Sequence, residues 1–169
     1  MRASIPLLLA LALPADPAVE ALFAPTGDAR LLQTRVAAEV RGARKSVRVA
    51  MFHFTSDRLV QALAERRRAG VGVRVLLDAR QADDGFVTRL RALDLEVRRV
   101  TPKGDDQTRF HHKYCVLDDR IAITGSYNWT VQGDQSNHEN VVLLRDEGAA
   151  RAFAENFDRT WEDRELSRP

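Results

Sequence analysis

Apolar residues change their period several times along the chain, and each change marks an element. Val19 to Ala24 reads as a short strand, closed by the turn residues Pro25-Thr26-Gly27. Leu31, Leu32, Val36 and Val40 recur at helical spacing and predict a helix capped by Asp28 and running to about Arg41. Val47 to Phe54 is strand-like. Ser56 or Asp57 then caps a helix with Leu59, Val60 and Leu63 on one face, ending before Gly70. Val71 to Leu77 has the apolar density of a buried strand, and Asp78 closes it. A weaker helix near Phe86 to Leu93, a strand from Leu95 to Val100 and a Pro-, Gly- and Asp-rich loop from Thr101 to Gln107 follow. Two strands, His112 to Leu117 and Ile121 to Thr124, are joined by the turn Asp118-Asp119-Arg120. Asn140 to Leu144 is a further strand. Glu147 to Glu162 is a closing amphipathic helix with Phe153, Phe157 and Trp161 inward, and a frayed tail is expected from Arg164 to Pro169.

Strands alternate with helices early and follow one another later. That order predicts an α/β fold: one domain built on a mixed β-sheet with helices on both faces. No linker divides the chain. Residues 1–15 are set apart, because Arg2, the apolar run Ile5 to Leu13 and Pro14-Ala15 have the form of a signal peptide. Export to the periplasm or medium is therefore expected, with residues 16–169 as the mature domain. The run is shorter than the roughly 20 apolar residues a membrane span takes, and no stable membrane anchor is expected.

The 169 residues are 44% hydrophobic and 30% charged with a net charge of +2, a balance that neither demands nor excludes a polyanionic partner. Distribution matters more. Arg66, Arg67, Arg68, Arg98, Arg99, Lys103 and Arg109 are candidates for a basic rim around a site. Cys115 is the single cysteine, so no intrachain disulfide can form, and its apolar neighbours point to a buried thiol.

Candidate chemistry is concentrated between Arg109 and Asn128, RFHHKYCVLDDRIAITGSYN. Residues two apart on a strand face the same way, so His111 and Lys113 share a face. His111 can attack phosphorus as a neutral imidazole while Lys113, one of only three lysines among 26 basic residues, neutralises a non-bridging oxygen. Ser126 and Asn128 share a parity just past the next strand, and their hydroxyl and amide suit the same phosphate. Glu139 is placed to hold the second ring nitrogen of His111. Asp118 lies at the far end of its strand on the opposite parity and reads as a turn residue that fixes the hairpin.

His111-His112-Lys113-Tyr114-Cys115-Val116-Leu117-Asp118 resembles the HxKxxxxD hallmark of the phospholipase D superfamily. Gly125-Ser126-Tyr127-Asn128 is similar to that family's glycine-serine-x-asparagine element, and Ser136-Asn137-His138-Glu139-Asn140 to its downstream glutamate segment. From about Val19 to Trp161 the chain looks most similar to small bacterial Nuc-type endonucleases. The resemblance implies a covalent phosphohistidine mechanism with no metal or other cofactor. It also implies phosphate binding by Lys113, Ser126 and Asn128, and orientation of His111 by Glu139. In the family two motifs meet across a twofold axis. This chain carries one, so a homodimer with a composite active site is implied, one histidine attacking and its twin protonating the leaving group.

The remaining residues weigh less. His112 is a local rival for the second histidine, but its parity turns it away from Lys113. His53, near a strand end, is a candidate substrate contact, and His138 a rim residue. Trp129 is either a base-stacking platform or a packing anchor, the second being favoured. No metal site is expected, since the histidines lack ligand spacing on a common element. The leading function is a phosphodiesterase, a nuclease that cuts nucleic acid with little sequence preference. The alternative is a phospholipase acting on a lipid head group such as that of cardiolipin. A phosphate-binding module without turnover is a third reading, disfavoured by the intact set of polar residues.

Overall fold

The computed structural model describes residues 16–28 and 30–169, so the expected signal peptide lies outside the described residues. Eight strands form one mixed sheet: β1 (Val19–Ala24), β2 (Ser46–Met51), β3 (Gly72–Asp78), β4 (Glu96–Val100), β5 (Lys113–Leu117), β6 (Ile121–Gly125), β7 (Glu139–Leu144) and β8 (Ser167–Arg168). Their spatial order is β1-β7-β6-β5-β2-β3-β4-β8. Among the described strands β2–β3 and β3–β4 pair parallel, linked by helical crossovers, and the remaining neighbours pair antiparallel. The helices α1 (Leu31–Gly42), α2 (Asp57–Arg68), α3 (Asp84–Ala92), α4 (Val131–Gln135) and α5 (Glu147–Glu162) complete the chain.

Strand alternation divides the core in two. Val47, Val49, Val73, Val75, Cys115 and Leu143 point to one face and pack under α1, α2 and α3. Ala50, Leu76, Tyr114, Val116 and Ala122 point to the other, where α5 covers them with Ala150, Ala154, Phe157 and Trp161. Helices thus lie on both faces, as the order of elements predicts. Cys115 is fully buried and desolvation pushes its thiol far up, in keeping with a packing role.

Two expectations about chain ends and caps need correction. The tail after Arg164 is not frayed: β8 pairs with β4 through Val100 and Ser167, and Ser167 is buried. Its hydroxyl donates to the free carbonyls of Trp161 and Asp163 at 3.0 and 3.1 Å, which satisfies the end of α5 while β8 closes the β4 edge. Asp28 does not cap α1. The N-cap is Arg30, without a side-chain bond, and the N–H groups of Leu32 and Gln33 donate instead to Asp134 Oδ1 from α4, at 2.9 and 3.3 Å. Elsewhere local caps serve: Ser56 for α2, Asp83 for α3, Thr130 for α4 and Asp146 for α5.

Asp134 is buried, and desolvation pushes its carboxyl above the usual range against the two N–H bonds from Gln33 and Leu32. A raised folded value means that its contribution to stability is complete below about pH 4, the unfolded value, and is lost as pH rises through the folded one. Asp134→Asn, which mimics the neutral acid, should therefore match or exceed the native protein in denaturant midpoint at neutral pH, and the gap should close on acidification. Asp134→Ala leaves two N–H groups without partners and should lose about 1–2 kcal/mol.

Candidate active site

The parallel strands β2, β3 and β4 all end on one side of the sheet, where β5 begins, and loop residues beyond such ends are free to carry chemistry. His111 lies there, two residues before β5, and its segment is held at both sides. Phe52 N–H donates to the His112 carbonyl at 2.7 Å, extending the β2–β5 pairing, and Phe110 N–H donates to Asp78 Oδ2 at 2.8 Å. The imidazole packs on the Phe52 ring, centroids 4.5 Å apart. Lys113 Nζ lies 3.2 and 3.3 Å from the two ring nitrogens and donates to the His111 carbonyl at 3.0 Å. Residues 111 and 113 share a face, as strand parity predicts. His112 turns the other way, edge-on to Phe110 and Tyr114.

This packing sets the proton balance. Desolvation lowers the His111 pKa, the Lys113 ammonium lowers it further, and the Asp78 charge opposes both. Burial and the Lys113 charge both favour the neutral ring, which keeps the lone pair that a nucleophile needs. Lys113 is itself pushed down by burial, with Glu139 pulling it back up.

The Gly-Ser-x-Asn turn follows β6 at the same end. Gly125 has a φ of 149°, and a Cβ there would stand 2.2 Å from the Asn140 carbonyl oxygen, so only glycine lets β6 and β7 meet so closely. Ser126 Oγ accepts from Asn140 N–H at 3.0 Å and donates to Glu139. Asn137 Nδ2 donates to the other Glu139 oxygen at 3.1 Å. Asn128 Oδ1 is buried without a hydrogen-bond partner among the described residues, a rare state for an amide oxygen.

The structure therefore joins His111 to Lys113 and Ser126 to Glu139, with Lys113 feeling the Glu139 charge. Among the described residues no hydrogen bond connects Glu139 to His111 of the same chain. His53 is half-buried beyond β2 and shows no hydrogen bond to these residues. Asp118 is at the opposite end of the sheet, where its carboxylate accepts from the N–H groups of Arg44, Lys45 and Ser46 at 2.8, 2.7 and 2.9 Å. Burial raises its pKa, yet the bonds from Ser46, Arg44 and Lys45 outweigh that and hold it low. It ties the hairpin to the α1–β2 loop, a wider task than fixing its own turn. Trp129 is buried against Phe54, ring centroids 5.1 Å apart, and so is a packing anchor rather than a stacking platform.

The expected basic rim is dispersed. Arg66, Arg67 and Arg68 end α2 at the far side of the sheet, and Arg67 pairs with Asp94. Arg98 lies on the Trp161 ring and Arg99 pairs with Asp84. Lys103 and Arg109 alone of the seven line a cleft of about 580 Å³ beside His111, whose walls include Val100, Pro102, Phe110 and Leu166. Pattern reading missed Phe52, Asp78 and Asn140 as parts of the site. Asp78 had one usable signal, a carboxylate closing the apolar run Val75-Leu76-Leu77 at the C-terminal end of its strand.

The family described as "Cardiolipin synthase, PLD-like domain" matches residues 36–161. The chain belongs to the phospholipase D-like family. It is 35% identical over 141 residues to the mitochondrial cardiolipin hydrolase of Canis lupus familiaris, a match covering 82% of this chain and 53% of that protein. The chain thus spans about half the length of that relative. Among solved structures, Nuc, a phospholipase D family member from Salmonella typhimurium, superposes with a TM-score of 0.75 at 24% identity, covering 90% of this chain and 97% of Nuc. NucT from Helicobacter pylori gives 0.73 at 18% identity, covering 85% and 96%. These structures share the fold of this phospholipase D-like chain.

The Lys113 charge has a measurable signature. Lys113→Met should raise the His111 pKa, seen as an upward move of the imidazole C–H titration by NMR; an unchanged titration would show that the two groups are not coupled.

Proposed function

We propose that this phospholipase D-like protein is a phosphodiesterase that works through a phosphohistidine and needs no metal, with nucleic acid as its substrate. The observation that carries the reading is the His111 imidazole packed on Phe52 with Lys113 Nζ 3.2 Å from a ring nitrogen, a setting that favours the neutral ring. The lone pair of His111 attacks phosphorus and forms an N–P bond as the ester P–O bond breaks. Lys113 and an Asn128 side-chain N–H take the non-bridging oxygens, and Ser126 adds its proton once phosphate competes with Glu139 for it. The leaving alkoxide takes a proton from a second histidine, which then deprotonates the water that breaks the N–P bond.

One chain supplies one such histidine, and His112 faces away, so we infer a homodimer in which two copies of His111 meet. This arrangement also gives Glu139 a task, since its contact with His111 is not made within a chain: it orients the histidine of the other copy.

An open cleft with Lys103 and Arg109 on its rim suits a backbone of repeated phosphates passing by. One observation favours a phospholipid instead: the 35% identical relative is named a cardiolipin hydrolase, and the same cleft has the apolar walls Val100, Phe110 and Leu166.

Plasmid DNA, single-stranded RNA and cardiolipin vesicles incubated in parallel with excess EDTA separate these readings. Cleavage of nucleic acid with intact vesicles is expected. Lipid hydrolysis alone would transfer the assignment to the second substrate, and loss of all activity with rescue by a divalent ion would end the metal-free mechanism. His111→Ala should reduce turnover by about a thousandfold or more while the circular dichroism spectrum is kept. Sedimentation equilibrium should give a dimer; a fully active monomer would exclude the composite site.

A further inference from the structure

We propose that Asp78 is a positioning residue for His111, its buried carboxylate pinning the Phe110 amide and setting a negative charge behind the imidazole. The proposal rests on the reading of His111 as the nucleophile. Asp78 ends β3 and is 1% exposed. Its Oδ1 accepts from the N–H groups of Arg80 and Gln81 at 3.0 and 3.2 Å, which closes a local turn. That turn needs only one acceptor, and a neutral asparagine would serve it without burying a charge. The second oxygen does something else. It reaches 32 residues along the chain to Phe110 N–H, the residue before His111.

The consequence is geometric. Phe110 is held by β3 and His112 by Phe52 just past β2, so the peptide that carries His111 is clamped to the ends of two neighbouring strands. The ring then has Phe52 on one side and Lys113 against its nitrogens. An unclamped loop would let the imidazole swing by the ångström or so that in-line attack on phosphorus does not tolerate.

The consequence is also electrostatic. The charged groups acting on His111 are Lys113 from β5, which favours the neutral ring, and Asp78 from β3, which favours the imidazolium. His112 is affected by His111 in turn, and Glu139 from β7 acts on Lys113. Asp78 therefore keeps the ring basic enough to attack and, in the twin that gives up a proton, keeps the imidazolium populated.

Asp78→Asn tests this, with Asp118→Asn as the control, because Asp118 also binds three N–H groups but at the opposite end of the sheet. The Asp78 variant should lose about tenfold or more in kcat with KM little changed, and the acid limb of its rate profile and the His111 C–H titration should both move to lower pH. The Asp118 variant should lose stability and leave the His111 titration in place. A folded Asp78→Asn with kcat within about twofold and an unmoved titration overturns the proposal. If that variant does not fold, the unsubstituted protein decides: the Asp78 side-chain carbon resonance should inflect at the His111 titration and lose the inflection in His111→Gln, and a flat response overturns the coupling. Retained turnover in His111→Ala would instead defeat the nucleophile assignment, leaving the NMR result to judge Asp78 on its own.

Discussion

An ammonium held 3.2 Å from an imidazole nitrogen is the constraint around which the site is arranged. Two groups that would both prefer to be cations share a half-dry corner, and neither can be fully protonated at ease. The imidazole yields, which leaves it nucleophilic. The ammonium keeps its charge with the help of the Glu139 carboxylate, and it is short of an anion. In the proposed mechanism a phosphodiester relieves both conditions, its oxygens pairing with Lys113 while its phosphorus accepts the histidine lone pair.

Holding such a pair requires rigid surroundings, and the sheet supplies them through strand ends rather than through a loop alone. Phe52 from β2, Asp78 from β3, the β6–β7 contact at Gly125 and the first residue of β5 all converge on one edge. Each of these elements is buried on both faces between α5 and the three crossover helices, so the site inherits the stiffness of the core. The glycine has no substitute there, since the Asn140 carbonyl occupies the space of a side chain.

Charge is used locally throughout. Three of the six arginines named as a rim are committed to single partners: Arg67 to Asp94, Arg99 to Asp84, and Arg98 to the Trp161 ring. Exposed pairs of this kind contribute little to stability, and their effect is to leave a surface of mixed sign. Lys103 and Arg109 stand apart by position, at the mouth of the cleft beside His111.

Periodicity alone placed every strand but β8 and every helix but α4 to within a few residues, and showed that His111 and Lys113 share a face while His112 does not. Those features depend on neighbours in sequence, through the pleat of a strand or the turn of a helix. The motif residues were legible for the same reason: they lie within a single stretch of chain. What the pattern could not reach were bonds that cross long separations. Asp134 capping α1, Asp118 holding the α1–β2 loop, Ser167 pairing with Val100 of β4 and Asp78 clamping Phe110 all join residues that only the folded sheet brings together. A carboxylate in a sequence announces a turn or a cap nearby; which distant N–H it will accept is decided by strand order and register, and those are properties of the whole chain packed at once.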